Sequence, residues 1–278
     1  MNLYTINTGN FKLDGGAMFG VVPKSIWNKL NPADENNMCT WAMRCLLIED
    51  GKRLILIDNG IGDKQDAKFF SHYYLHGDDS LDKSLAKNGF SRSDITDVIL
   101  THLHFDHCGG SIIREADKLV PAFKNAIYWS NERHWNWAVK PNDREKASFL
   151  KDNIIPIQES GQLQFIDTNS SVFSQNIDII HAFGHTDDMM LPKITYKGKS
   201  IVFMADLLPS AAHLPLPYVM AYDMFPLTTL QEKKSFLFEA QEKDYILFFE
   251  HDPINECCDL ELTEKGIRVK NCFTVKEI

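Results

Sequence analysis

The chain has 278 residues, 44% of them hydrophobic and 24% charged, the balance of a globular protein with a sizeable core. A formal charge of −9 lacks the basic footprint that nucleic-acid backbones require, so nucleic acid is not expected as a partner. The opening residues, MNLYTINTGNFKLDGG, lack the basic start and apolar stretch of a signal peptide. No apolar run reaches the roughly 18 residues of a membrane span, so neither export nor membrane association is expected.

In chain order, Met43–Glu49 and Arg53–Asp58 read as strands joined across Asp50-Gly51, a hairpin signal. Ser80–Asn88 reads as a short helix with Leu81 and Leu85 on one face and Gly89 as its stop. Ser91–Asp97 leads into an apolar strand that ends at Thr101. Asn131–Val139 and Glu145–Asp152 are expected to be helical, and His134 to lie in a Trp-rich surface or interface patch. Further on, Asn176–His181, Leu191–Tyr196 and Ser200–Met204 read as strands, with Lys197-Gly198-Lys199 as a turn. Thr228–Gln241 is a helix in which Thr228/Gln231 and Thr229/Glu232 each offer a capping box. Tyr245–Glu250 is the last strand read, and it leads to His251. No linker, low-complexity segment or repeat interrupts the chain, so residues 1–278 are expected to form one domain.

The chemistry is concentrated in THLHFDHCGG, positions 101–110. Three histidines and an aspartate in six residues after a buried strand would be costly without partners for their nitrogens and oxygens. In extended chain, residues two apart point to one side, so His102 and His104 can face one ion. Asp106 and His107 follow where the chain must turn, and form a second pair. Each pair is short of the three protein ligands of a catalytic zinc site. Three later residues have the right type and placement, each just after an apolar strand: His185 in AFGHT, Asp206 in IVFMAD and His251 in FFEHD. Cys108 and the other five cysteines lack CxxC spacing; they read as reduced thiols of a cytoplasmic protein, with Cys108 a small packing residue.

HLHFDH, followed in order by His185, Asp206 and His251, resembles the metallo-β-lactamase superfamily of metal hydrolases. The resemblance implies an α+β fold: a four-layer αβ/βα sandwich of two mixed β-sheets flanked by helices. It places one ion on His102, His104 and His185 and a second on Asp106, His107 and His251, with Asp206 bridging and Asp58 of LILIDNG orienting a ligand. LDGGAMFG at 13–20 and the segment 206–223 are most similar to a subgroup of quorum-quenching lactonases and related esterase and organophosphate hydrolases. Acyl-homoserine lactonases of that subgroup carry a tyrosine three places after the bridging aspartate, where this chain has Pro209, and Asp187-Asp188 replaces the usual Pro-Gly after GHT.

These features imply two divalent ions, zinc with iron or manganese as alternatives. A hydroxide bridging them would attack a small, fairly apolar ester or lactone. Asp106 would carry the proton to the leaving group. Met18 and Phe19, which follow two glycines, and His213, Tyr218 and Tyr222 of the long, apolar loop 207–225 are the expected substrate-binding residues. A highly anionic phosphodiester is a poor match, since no Lys or Arg lies between Lys199 and Lys233. The alternatives are a phosphotriester hydrolase, a glyoxalase II-like thioesterase and a metal-stabilised binding scaffold. A homodimer is expected to use the aromatic segments Tyr128–Trp137 and Phe69–Tyr74.

Overall fold

The structure, a computed structural model, describes residues 1–167 and 170–278. They form two compact units: residues 1–9 with 43–171, and residues 10–42 with 172–278. In chain order the strands are β1 (Asn2–Asp14), β2 (Met38–Asp50), β3 (Arg53–Ile57), β4 (Asp97–Ile99), β5 (Ile112–Glu115), β6 (Lys118–Pro121), β7 (Ile127–Ser130) and β8 (Leu163–Phe165). There follow β9 (Val172–Ser174), β10 (Ile177–Ala182), β11 (Met189–Tyr196), β12 (Lys199–Phe203), β13 (Ile246–Phe248), β14 (Cys257–Thr263) and β15 (Gly266–Phe273).

The first unit is built on a six-stranded mixed sheet in the order β1-β2-β3-β4-β7-β8, with β5 and β6 as a separate hairpin. The Asp50-Gly51 signal is realised: β2 and β3 pair antiparallel from Asp50↔Arg53 to Leu46↔Ile57, and Gly51 sits at φ 66°. From β3 to β8 the pairing is parallel, which requires both faces of those strands to be covered. Accordingly Leu54, Leu56, Val98, Leu100 and Tyr128 are buried in one cluster with Leu81, Leu85, Trp135, Ala138, Ile154 and Ile157 of three helices. The helix Leu81–Lys87 starts where Ser80 Oγ accepts the Lys83 N–H and ends at Asn88 and Gly89, as expected. Asn131 caps Glu132–Val139 in the same manner, through the His134 N–H.

The helix expected over Glu145–Asp152 is displaced. Asn142 Oδ1 accepts the N–H groups of Arg144 and Glu145, closing a turn, and the helix runs over Lys151–Glu159 instead. His134 does not lie on the surface: it is fully buried, and its Nε2 accepts the Leu103 N–H at 2.9 Å.

The second unit is built on a seven-stranded mixed sheet in the order β15-β14-β13-β12-β11-β10-β9. Only β12 and β13 are parallel among the pairs of described register. Antiparallel steps from β10 to β11 to β12 leave β10, β12 and β13 running the same way, so their C-terminal ends share one edge. The long helix is Pro226–Glu242, one turn or less beyond the expected bounds, with Pro226 in the first turn where a missing N–H is harmless. Neither expected capping box forms: Thr229 Oγ1 donates to Phe225 O, and Glu232 accepts the N–H groups of Phe183 and Gly184. Among the described residues, no helix is long and apolar enough to cross a membrane.

Candidate metal centre

Four of the seven expected ligands belong to the first unit. Strand β4 ends at Ile99, and His102 and His104 follow in extended chain, whereas Phe105–Cys108 is a single helical turn that carries Asp106 and His107. The chain can turn this tightly because Gly109 has no side chain: a Cβ there would overlap the Ile61 carbonyl. Around the turn, Asn59 N–H donates to His107 O, Gly110 N–H to Gly60 O and Lys64 Nζ to Gly109 O at 2.5 Å. Cys108 is buried and donates to Leu103 O, and burial pushes its thiol up to about 12, so it is a packing residue.

The other three belong to the second unit, and the register explains their placement. Phe203 of β12 pairs with Phe248 of β13, and Asp206 and His251 each lie three residues further along. Ala205, at φ 40°, turns the chain so that Asp206 leaves the strand direction. His185 follows β10 on the same edge. Its loop is held by Glu232, by Met224 N–H to His185 O and by Phe225 N–H to Gly184 O. Gly184 is packed against the Thr229 backbone too closely for a Cβ.

The donor set fits divalent metal ions, and the hydrogen bonds behind the imidazoles are the test. Thr101 Oγ1 donates to Asp58 Oδ2 at 2.6 Å, so it can only accept from His102 Nδ1, 3.1 Å away. His104 Nε2 donates to Glu145 Oε1 at 2.9 Å. The lone pairs of His102 Nε2 and His104 Nδ1 then face each other at 3.0 Å, an arrangement that repels unless a cation lies between them. His107 Nδ1 donates to Asp58 Oδ2 at 3.1 Å, which leaves its Nε2 lone pair toward Asp106 Oδ2 at 3.9 Å. In the second unit, His185 Nδ1 donates to Asp223 Oδ1 and His251 Nδ1 to Ala42 O, both at 2.8 Å. Their Nε2 atoms face the two oxygens of Asp206 at 3.0 and 3.2 Å. Five imidazoles thus commit one N–H each to a carboxylate, carbonyl or hydroxyl, the arrangement that orients metal-ligating histidines.

Electrostatics point the same way. Burial pulls the His185 imidazole down, but Asp206 and Asp223 on its two sides outweigh it and push its pKa up to about 10. That site therefore demands positive charge between His185 and Asp206, whether from a proton or from a metal ion. Asp58 is fully buried at φ 56° and accepts the Thr101 N–H and O–H as well as His107. Sequence reasoning named Asp58 but missed Glu145, Asp223, Thr101 and the Ala42 carbonyl. Glu145 also accepts Trp137 Nε1 at 2.6 Å.

The expected substrate-binding residues separate into two groups. Met18 and Phe19 are buried rather than open to a ligand, and Phe19 is stacked between Trp27 (5.3 Å, 8°) and His213 (4.6 Å, 2°). His213 braces Ser210, Met18 and Phe19. Its Nδ1 accepts from Ser210 at 2.8 Å, its Nε2 donates to Met18 O at 3.0 Å, and burial drives its pKa down to about 3, so the ring stays neutral. Tyr218 is half-buried, edge-on to Phe19, and Tyr222 is exposed. Lys233, unremarked as a functional residue in the sequence, is buried and donates to the carbonyls of Pro215 (2.7 Å) and Tyr218 (3.0 Å), which pins this loop from beneath.

No curated protein sequence matches the chain significantly. Among solved structures, a probable metal-dependent hydrolase from Staphylococcus aureus is similar over 98% of this chain and 96% of its own, with 28% identity and a TM-score of 0.89. AidC, a dizinc quorum-quenching lactonase in complex with a product, is similar over 98% and 95%, with 23% identity and a TM-score of 0.78. The hydrolase AbOPH of the β-lactamase superfamily is similar over 98% and 94%, with 21% identity and a TM-score of 0.79. The α+β fold with two mixed sheets and flanking helices, expected from the sequence, is the metallo-β-lactamase fold. The profile of the Metallo-beta-lactamase superfamily covers residues 44–251, from β2 to the last of the expected ligands, and the chain belongs to that superfamily.

Proposed function

We propose that the chain is a dinuclear metal-dependent hydrolase of small, fairly apolar esters or lactones. The observation that carries this reading is the shared tautomer logic of His102, His104, His107, His185 and His251, each with its second nitrogen turned toward another ligand. His102, His104 and His185 would hold one ion, and Asp106, His107 and His251 the other, with Asp206 between them. When bound, two divalent ions supply Lewis acidity and a water acidified toward neutrality. Zinc suits a set of imidazoles and carboxylates, as iron does.

The chain's own groups do the rest. Asp58, Glu145, Asp223, Thr101 and the Ala42 carbonyl hold the rings in plane and keep their lone pairs available. Asp106 carries a proton to the leaving oxygen. The apolar loop 207–225 favours an uncharged substrate, and Lys233 is a poor anchor for an anionic one because it is buried, burial pulls its pKa down to about 7, and its Nζ is turned to backbone carbonyls. A small molecule is therefore the partner of this site.

The test uses chelated protein reloaded with zinc. Two equivalents bound per chain and hydrolysis of lactones or aryl esters are expected, with a rate about 10²-fold lower or less in Asp106→Asn. Retention of one ion only, or inactivity of the reloaded protein across lactones, esters and phosphotriesters, refutes the proposal.

A further inference from the structure

We infer that the Tyr73 hydroxyl is a hydrogen-bond donor to the leaving oxygen of the substrate, which makes Tyr73 a second residue serving the step assigned to Asp106. The inference rests on the hydrolase reading above. Tyr73 follows the short helix Ala67–Ser71 and is tied back to it by its N–H on Phe70 O at 3.0 Å. Its ring packs on Phe105 at 4.7 Å and 49°, while Phe69 meets Phe105 edge-on at 5.4 Å and Tyr73 at 4.9 Å. Phe105 stands between His104 and Asp106, so this three-ring cluster seats Tyr73 beside the ligand turn.

The hydroxyl is available. The hydroxyls of Tyr4, Tyr128 and Tyr245 donate to Glu49, Ser111 and Glu239, whereas that of Tyr73 makes no hydrogen bond among the described residues. Tyr73 is only partly buried, so a ligand can reach it. A tyrosine phenol ordinarily titrates at about pH 10, so it remains a donor throughout the neutral range.

The balance of the step is simple. Water adds across the acyl C–O bond: its hydroxyl goes to the acyl carbon and its proton, by way of Asp106, to the departing oxygen. Tyr73 keeps its own proton and stabilises the charge that gathers on that oxygen. An alkoxide gains more from such a donor than an aryl oxide, whose charge is already delocalised. The ligand class is therefore an alkyl ester or lactone with an apolar group against Phe69 and Phe105.

The test compares zinc-loaded wild type with Tyr73→Phe, which preserves the ring packing, on an alkyl lactone and an aryl ester of the same acyl group. The expected result is a kcat about 10²-fold lower on the lactone. KM should stay within about twofold, and the loss on the aryl ester should be less than about threefold. Tyr74→Phe, at a neighbouring exposed hydroxyl, should match wild type on both substrates. Equal losses on both substrates, or none, with the wild type active, overturn the role of Tyr73 and leave the hydrolase reading standing. A reloaded wild type that hydrolyses neither substrate overturns that reading and this inference together.

Discussion

Asp58→Asn is the sharpest probe of the metal centre, because one buried carboxylate serves two purposes. Its Oδ1 accepts the Thr101 N–H at 2.8 Å, and its Oδ2 accepts both the Thr101 hydroxyl at 2.6 Å and His107 Nδ1 at 3.1 Å. An asparagine can keep the first bond, but its amide nitrogen then confronts two donors. Each hydrogen bond to a charged group contributes about 1.5–3 kcal/mol, and the Thr101 hydroxyl can rotate to another acceptor, so the metal-free protein should lose about 3 kcal/mol. His107 then gains nothing by keeping its proton on Nδ1, and the tautomer with a proton on Nε2 cannot ligate. Zinc affinity should fall about 10–100-fold at the ion held by His107, and the ion held by His102 should bind more weakly as well, because the Thr101 hydroxyl that accepts from His102 has lost its own acceptor. Urea unfolding of the chelated protein and a competition titration with a zinc-binding dye read the two quantities. An Asp58→Asn protein that unfolds with wild-type stability and binds both equivalents unchanged would refute the tautomer argument.

Two further outcomes follow from packing and burial. Gly109→Ala should cost several kcal/mol and weaken zinc binding, because its Cβ meets the Ile61 carbonyl, whereas Gly51→Ala, with open space around it, should lose only about 1 kcal/mol for its positive φ; equal thermal shifts in the two variants would contradict this. His213 has its folded pKa lowered to about 3 from 6.5, so its contribution to stability is complete above pH 6.5 and is lost as pH falls through the folded value. Wild-type unfolding should therefore take up nearly one extra proton between those limits, a slope of about 1.4 kcal/mol per pH unit that His213→Asn lacks. Parallel stability profiles for the two proteins between pH 6 and pH 4, roughly the middle of that window, would show that the ring is not buried neutral.

Much of the scaffold was legible because its elements are local. The Asp50-Gly51 hairpin, the Ser80 cap and the apolar β4 each follow from residues within a few positions, and each forms where expected. Glu145 shows why the reading failed elsewhere. A helix over Glu145–Asp152 satisfied propensity, yet the turn capped by Asn142 and the bonds from Glu145 to His104 and Trp137 outweigh it. Propensity is worth tenths of a kcal/mol per residue, less than a buried carboxylate–imidazole bond. Glu232 repeats the lesson, since its carboxylate holds the Phe183-Gly184 backbone rather than the start of its own helix. The strands β14 and β15 were missed although apolar and polar residues alternate over Asp259–Thr263 and Ile267–Lys270.

The order and type of the metal-competent residues were fixed by the primary structure, since an imidazole or carboxylate is visible as a letter and strand ends are marked by where apolar runs stop. What stands behind each imidazole was decided only in three dimensions. Glu145 is 41 residues from His104 and Asp223 is 38 from His185, while the partner of His251 is a backbone carbonyl 209 positions away. A peptide carbonyl is common to every residue, so no pattern of side chains can announce it. The burial of Met18 and Phe19 was decided in the same way, because stacking between Trp27 and His213 depends on rings that meet only after the chain has folded.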